Sequence, residues 1–382
     1  MTTLCTSCQS LSHRRDSLVS PVRFQVLFFL ADLLSFVAKA HSYRVEWCDF
    51  SSKIASSKML PRSGHVAFGL DGYIHVFGGY IENEDTERYP TNELWKLVPA
   101  GAWKPVPWRS QEQPQPRLAM GAAVTGKKTA HVFGGWDPRP AGTGGEILSD
   151  VVSFRGDDYA PMAFSGALGE PTSRLVAVAM NENQVILHNH RSNDHVFIWN
   201  PCSHVLVEQP TKGPSPSPRG LHAATKLSPN KMLIFAGAAQ DQTMCQDVWI
   251  LDTDTWRWTE LKTNSTDGPC PRAAPCLISL DETHLLVFGG AAPSPSVGLE
   301  GLDDLWLLRL DESACEWQRL SCDITPPGRN AATLCELDPR VYGTLLNGNC
   351  EDGTRCFLLT GGWFPFRNTY QDAFVLKVQP HN

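Results

Sequence analysis

Beyond residue 40 the apolar positions fall in short bursts, too brief and too often broken by Gly, Pro, Asn and Asp for amphipathic helices. The commonest burst is continuous and ends in glycine. It reads His75-Val-Phe-Gly-Gly79, His131-Val-Phe-Gly-Gly135, Leu233-Ile-Phe-Ala-Gly237, Leu286-Val-Phe-Gly-Gly290 and Phe357-Leu-Leu-Thr-Gly-Gly362. A short apolar run bounded by turn residues predicts a strand buried on both faces. Gly-Gly then lets the chain turn tightly where a side chain would not fit. Many short strands and few helices predict an all-β chain.

The bursts belong to a longer repeat. Each unit starts near an arginine, passes through the glycine-ended strand and a variable loop, and reaches an Asp/Asn-x-Leu-Trp-like segment and a further tryptophan. The first unit has Arg62, Asn92-Glu-Leu-Trp95 and Trp103. The second has Arg117 and Asp150-Val-Val-Ser-Phe154. The third is worn, with Arg174, His188 and His190 where glycines are expected, and Val196-Phe-Ile-Trp199. The fourth has Arg219, Asp247-Val-Trp249, Trp256 and Trp258, the fifth Arg272, Asp304-Leu-Trp306 and Trp317, and the sixth Arg329 and Asp372-Ala-Phe374. Successive arginines stand 55, 57, 45, 53 and 57 residues apart.

A period near 50 with Gly-Gly and Trp resembles the kelch repeat, over about residues 43–382. The resemblance implies a β-propeller in which each unit is one four-stranded blade. The sixth unit stops without a fourth strand or its tryptophan, while an orphan strand, Tyr43-Arg-Val-Glu-Trp47, precedes the first. The expected fold is therefore a six-bladed kelch β-propeller, closed by an N-terminal strand at 43–48 and preceded by a short leader at 1–40. The propeller domain is 41–382. The sixth unit also carries about 15 extra residues between its first two strands, and this 343–354 region is expected to be an exposed, mobile loop.

The leader has two readings. Residues 24–38 are nearly all apolar and are followed by Lys39-Ala40, as in a signal peptide. Asp32 and Lys39, at helical spacing with Gln25 and Ser35, instead suit a helix packed on another surface. The run is too short for a comfortable membrane span. The chain has 12 cysteines in 382 residues, far below the density of a disulfide scaffold. Reduced thiols and a cytoplasmic location are the expectation. Secretion is the alternative if 24–40 is cleaved, and then Cys350 and Cys356 can pair and Asn264-Ser-Thr266 becomes a glycosylation sequon.

Composition narrows the function. A net charge of −7, with no dense Lys/Arg cluster, excludes a nucleic-acid binder. No nucleophile elbow, HExxH or phosphate loop appears and no cofactor is called for; His188 and His190 read either as a metal-binding pair or as the mark of a worn, less buried blade, and no metal is called for. Some kelch-like propellers are copper oxidases, epimerases or iron-dependent specifier proteins. This chain lacks the oxidases' adjacent Tyr-His pair, and Leu308 stands where the specifier motif beginning Glu300-x3-Asp304 needs histidine. The reading is a non-catalytic interaction module for a protein or peptide, with a kelch-like enzyme as the alternative.

Strand order places the candidate site. With strands a to d antiparallel from the axis outward, the d–a and b–c connections share one face. The six arginines begin strand a, and the aromatics Tyr80, Trp136, Trp363 and Phe364 follow their Gly-Gly pairs, so both meet there. Arg62, Arg117 and Arg329 with Tyr80, Trp136 and Trp363 form the candidate partner-binding set, suited to an acidic or C-terminal peptide segment. Two readings of the arginines remain open: ligand contact, or pairing with an Asp or a backbone carbonyl inside the fold. Glu82, Glu84, Asp85 and Glu87 either repel an acidic ligand or solvate their loop. His65 and His222, at matching positions, read as structural.

Overall fold

The computed structural model describes residues 43–54, 59–82, 87–108, 113–140, 144–155, 162–164, 170–265, 267–347 and 353–380. The readings of the leader and of Cys350 lie outside them. Apart from the strand-end residues Tyr43 and Pro380, the sheets lie in one compact unit, Arg44–Gln379.

Each repeat unit is an antiparallel sheet. The first joins Val66–Leu70, Tyr73–Phe77, Leu94–Leu97 and Trp103–Val106 in that order. The second joins Gly121–Thr125, Thr129–Phe133, Val151–Arg155 and Met162–Phe164, and the third Val176–Asn181, Gln184–His188, His195–Asn200 and Val205–Pro210. The fourth unit (Ala223–Ser228, Lys231–Phe235, Val248–Asp252, Arg257–Thr263) and the fifth (Cys276–Ser279, His284–Phe288, Leu305–Leu310, Ala314–Leu320) share an edge. Their outer strands pair in parallel at Lys262–Ala314 and Thr263–Cys315. The last sheet runs Thr333–Glu336, Arg355–Thr360, Ala373–Pro380, and then the N-terminal strand Tyr43–Asp49. This is the all-β propeller architecture that the repeat implies.

Packing explains the sequence pattern. Strand b is buried on both faces, and Phe77, Phe133, Phe235 and Phe288 are each shut off from solvent. The outer-strand tryptophan of one unit then fills the gap against strand b of the unit before it. Trp317 lies 5.0 Å from Phe235, and Trp258 5.7 Å from His188, which occupies the same strand-b position. Trp47 lies 5.0 Å from Phe288 of the fifth unit and is 1% exposed, as a sixth-unit tryptophan should be. Each such ring buries about 150–250 Å².

Three expectations need correction. The 343–354 region is not all loop: Pro339–Leu346 is a helix whose Tyr342, Leu345 and Leu346 are buried. They join the core made by Ile74, Trp95, Leu97 and Trp103 of the first unit with Leu358 and Val375 of the sixth. Asp338 caps the helix by accepting from the Arg340 backbone N–H, proline sits in the first turn, and Asn347 ends it in the left-handed region. Asp338-Pro339 is the cap signal that starts the helix within the inserted stretch. Second, Asn189 and His190 replace the glycines, whereas His188 takes the phenylalanine position and is buried. Third, Cys356 is disulfide-bonded, although Cys48, Cys202, Cys245, Cys270, Cys276, Cys315, Cys322 and Cys335 are free.

Candidate binding pocket

The turn after strand b builds the site. The second glycine of each pair has φ near +100° and its N–H donates to the carbonyl of the next unit's arginine: Gly79 to Arg117 at 2.8 Å, Gly290 to Arg329 at 2.9 Å, Gly362 to Arg62 at 2.8 Å. A Cβ on Gly79 would lie 2.8 Å from that of His65, so no other residue fits without movement.

The repeated arginines sit behind this turn, not on the surface. Arg62, Arg117, Arg219, Arg272 and Arg329 are at most 1% exposed. Arg117 donates from Nη1 to the Gly134 carbonyl at 3.1 Å and forks onto Asp150 at 2.6 and 2.8 Å. Arg329 does the same with the Gly361 carbonyl and Asp372, and its guanidinium lies 3.9 Å from the Tyr370 ring centre. Arg62 donates to the Gly78 carbonyl at 3.2 Å and to Glu93 at 3.0 Å. Burial pushes the Asp304 carboxyl up, but the hydrogen bonds and charge of Arg272 hold it below the usual range. Each arginine therefore ties strand a, the first residue of the turn (a glycine, or Ala236 in the fourth unit) and the acid that opens strand c into one node. Arg62, Arg117 and Arg329 do not reach the cavity described next, because their donors point into the blade.

The third unit lacks the whole node. Thr172 occupies the arginine position, since its carbonyl accepts from Gly135 at 2.9 Å. His195 stands where the other units have Asp or Glu. Arginine and acid are missing together, and the loss of one alone would leave a buried charge unpaired.

The aromatics do converge. Tyr80, Trp136 and Trp363 line one cavity of ≈ 520 Å³, with Met120, Leu118, Leu221 and Arg88. Each is held by backbone bonds to the strand-a approach of its own unit: Trp136 N–H to the Leu118 carbonyl at 2.9 Å, Trp363 N–H to that of Asn330 at 2.9 Å. Tyr80 pairs with Ser63. Arg88 lies 5.3 Å from the Trp363 ring centre and donates to Glu82 and Thr369, so the Glu82 carboxylate is already neutralised by its own loop.

The cavity floor repeats as well. Gly64, Ala119, Arg174, Leu221, Ala274 and Ala331 all line it, and all have positive φ. Ala119 donates to Gly64 at 2.9 Å, Arg174 to Ala119 at 2.6 Å, Leu221 to Arg174 at 3.0 Å, Ala274 to Leu221 at 2.6 Å, Ala331 to Ala274 at 3.1 Å, and Gly64 to Ala331 at 2.9 Å. Five of these positions carry small or aliphatic side chains, which leaves the space open. The sixth is Arg174, exposed and in no ion pair among the described residues. The repeat spacing aligns Arg174 with the other five arginines; it stands two positions later, and only the backbone register shows it.

His65 and His222 lie beside the floor and bridge units. His65 Nε2 is 2.9 Å from Thr333 Oγ1, and His222 Nε2 is 3.0 Å from His188 Nδ1. Burial pushes His65 and His188 down to about 3, with nearby arginine charge adding to it. They are neutral spacers, in line with a structural role.

Comparison with known proteins agrees with this architecture. Residues 185–357 match the KLHDC2/KLHL20/DRC7 Kelch-repeats domain. Kelch domain-containing protein 2 of Bos taurus is 26% identical over 311 residues, covering 72% of this chain and 73% of that protein. Kelch domain-containing protein 1 of Homo sapiens is 24% identical over 332 residues, 76% of this chain and 79% of that protein. A tRNA wybutosine-synthesizing protein 4 of Emericella nidulans is 30% identical over 175 residues, 43% of this chain but 15% of that protein. With the repeated glycine turns, buried Arg–acid nodes and interlocking tryptophans, these matches support a kelch-repeat reading of the chain.

Proposed function

We propose that the chain is a non-catalytic interaction module whose central pocket binds an extended peptide segment that ends in, or carries, a carboxylate. The scaffold is a six-bladed ring closed by the N-terminal strand. The pairing of Tyr43–Asp49 beyond Ala373–Pro380, the seat of Trp47 on Phe288, and the floor bonds that return from Gly64 to Ala331 support that closure.

The observation that carries the reading is the pocket's composition. Tyr80, Trp136 and Trp363 supply flat apolar walls, and Arg174 supplies a cation on an otherwise small, neutral floor. A carboxylate accepts two parallel hydrogen bonds from a guanidinium, and aromatics with arginine dominate binding hot spots. Partner contact thus falls to Arg174 and the aromatics, with Arg62, Arg117 and Arg329 holding the walls in place.

Selection of the full chain against a peptide library with free C-termini tests this, followed by fluorescence polarisation of the best peptide. Arg174→Ala, and amidation of the peptide, should each weaken binding about tenfold or more. Trp136→Ala should cost about 1 kcal/mol or more. The melting temperature should stay unchanged in both variants. Wild-type binding by both would place the partner elsewhere.

A further inference from the structure

A second cavity opens at the other end of the blades, where strand a turns into b and c into d. It has ≈ 370 Å³ and lies between the second and third units. The second unit contributes Lys127 and Lys128 from one turn and Arg155 from the end of strand c, and the third contributes Glu182 and His204. Three fixed cations thus face one carboxylate, in a chain whose overall charge is −7. Among the described residues neither Lys127 nor Arg155 makes an ion pair, and both are exposed.

Three other clefts at this end are filled by the protein's own groups. Between the third and fourth units Lys226 Nζ reaches the Met180 carbonyl. Between the fifth and sixth, Arg355 donates to the carbonyls of Ser279 at 3.0 Å and Leu280 at 2.9 Å and pairs with Glu336. Between the sixth and first, the Tyr342 hydroxyl accepts from Ile74 N–H at 2.8 Å and donates to Leu97 O at 3.0 Å. The cleft between the second and third units keeps its volume, with Lys127 and Arg155 exposed at its edge. Its floor is also finished: His131 is bonded on one side to Thr125 Oγ1 at 2.9 Å and on the other to Ser153 Oγ at 2.7 Å, so it asks nothing of a ligand.

We propose that this cleft is an anion site for a phosphate monoester, held by Arg155, Lys127 and Lys128. The cations reach the cleft from two separate elements of the second unit, a turn and a strand end, and the third unit supplies the facing wall. A monoester brings close to two negative charges and three strong acceptor oxygens, which matches a guanidinium fork with two ammonium groups. The volume leaves room for the carrier beyond the phosphate. The same chemistry is offered by a phosphorylated side chain and by a small phosphorylated compound. The proposal does not rest on the peptide pocket at the opposite end.

Calorimetric titration of the full chain separates the possibilities. The probes are inorganic phosphate, a phosphoserine pentapeptide and its unphosphorylated twin. Saturable phosphate binding is expected, weakened about tenfold or more by Arg155→Gln and by Lys127→Gln, with melting temperatures unchanged because both side chains are exposed. A phosphopeptide that binds tighter than phosphate assigns the site to modified proteins, and one that binds equally assigns it to small phosphate compounds. The proposal is overturned by three results: no saturable phosphate binding, affinity indifferent to Arg155→Gln and Lys127→Gln, or loss only with Arg174→Gln.

Discussion

At the scale of single residues the buried arginine decides most. Arg117 lies out of solvent, while the Asp150 side chain is 41% exposed. The two halves of the pair are therefore unequal. Arg117→Ala leaves a carboxylate that water can still reach, and should cost about 2–4 kcal/mol. Asp150→Ala strands a guanidinium with only carbonyls to meet it, and should cost at least as much. Arg117→Lys should recover little, because an ammonium cannot fork onto Asp150 while also reaching Gly134 O. Denaturant unfolding of the three variants checks the order, and a milder Asp150→Ala would contradict the burial argument. The position of these arginines was legible from the repeat. Their direction was not, because the same residue at the same spacing serves a node or a ligand equally well. Arg174 shows the converse error: the spacing aligned it with the nodes, and a positive φ at a non-glycine residue, a conformation that costs about 1–2 kcal/mol, marks it as different.

At the scale of elements, two segments join the sixth unit to its neighbours. Trp47 on the N-terminal strand packs on Phe288, and Trp47→Ala should cost about 3–5 kcal/mol. The helix Pro339–Leu346 wedges between the sixth and first units, with the Tyr342 hydroxyl as a polar anchor in that core. Tyr342→Phe keeps the packing but leaves Ile74 N–H and Leu97 O without that partner, and should cost about 1–3 kcal/mol. Equilibrium unfolding measures both variants, and a neutral Tyr342→Phe would show that water replaces the hydroxyl. The same packing protects 339–346 from protease, so an early nick inside the helix is not expected. The strand at 43–49 was legible because the sixth unit lacked a tryptophan and an orphan supplied one. The helix was legible only as Asp338-Pro339 followed by Val341, Tyr342, Leu345 and Leu346, a signal too short to outweigh the expectation of a loop.

At the scale of the whole molecule, buried imidazoles set the response to acid. Burial pushes His65 and His188 down to about 3, His75 and His131 down to about 4, and His222 well below its ordinary value. An unfolded histidine titrates at about 6.5. Below that pH the unfolded chain binds protons that the folded chain refuses, so stability is complete above about 6.5 and falls as pH drops toward 4. Melting temperature measured from pH 7.5 to 4.5 should decline across that window. His188→Phe, which restores the residue found in neighbouring units, should make the decline shallower. A flat profile in the wild type would mean that these histidines are charged in the folded state.

The sequence alone determined the repeat, the all-β class, the order of strands within a unit and the meeting of Tyr80, Trp136 and Trp363 on one face. All of these follow from local rules: a burst of apolar residues must be buried, Gly-Gly must turn, and strands that alternate in direction put alternate connections together. The tertiary structure decided what each charged group faces. Burial of Arg62, Arg117 and Arg329, exposure of Arg174, and the gathering of Lys127, Lys128 and Arg155 at the far end depend on neighbours 16 to 50 or more residues away. A charge buried beside a carboxylate and a charge open to a ligand are written with the same residue, and only the packing of one unit against the next distinguishes them.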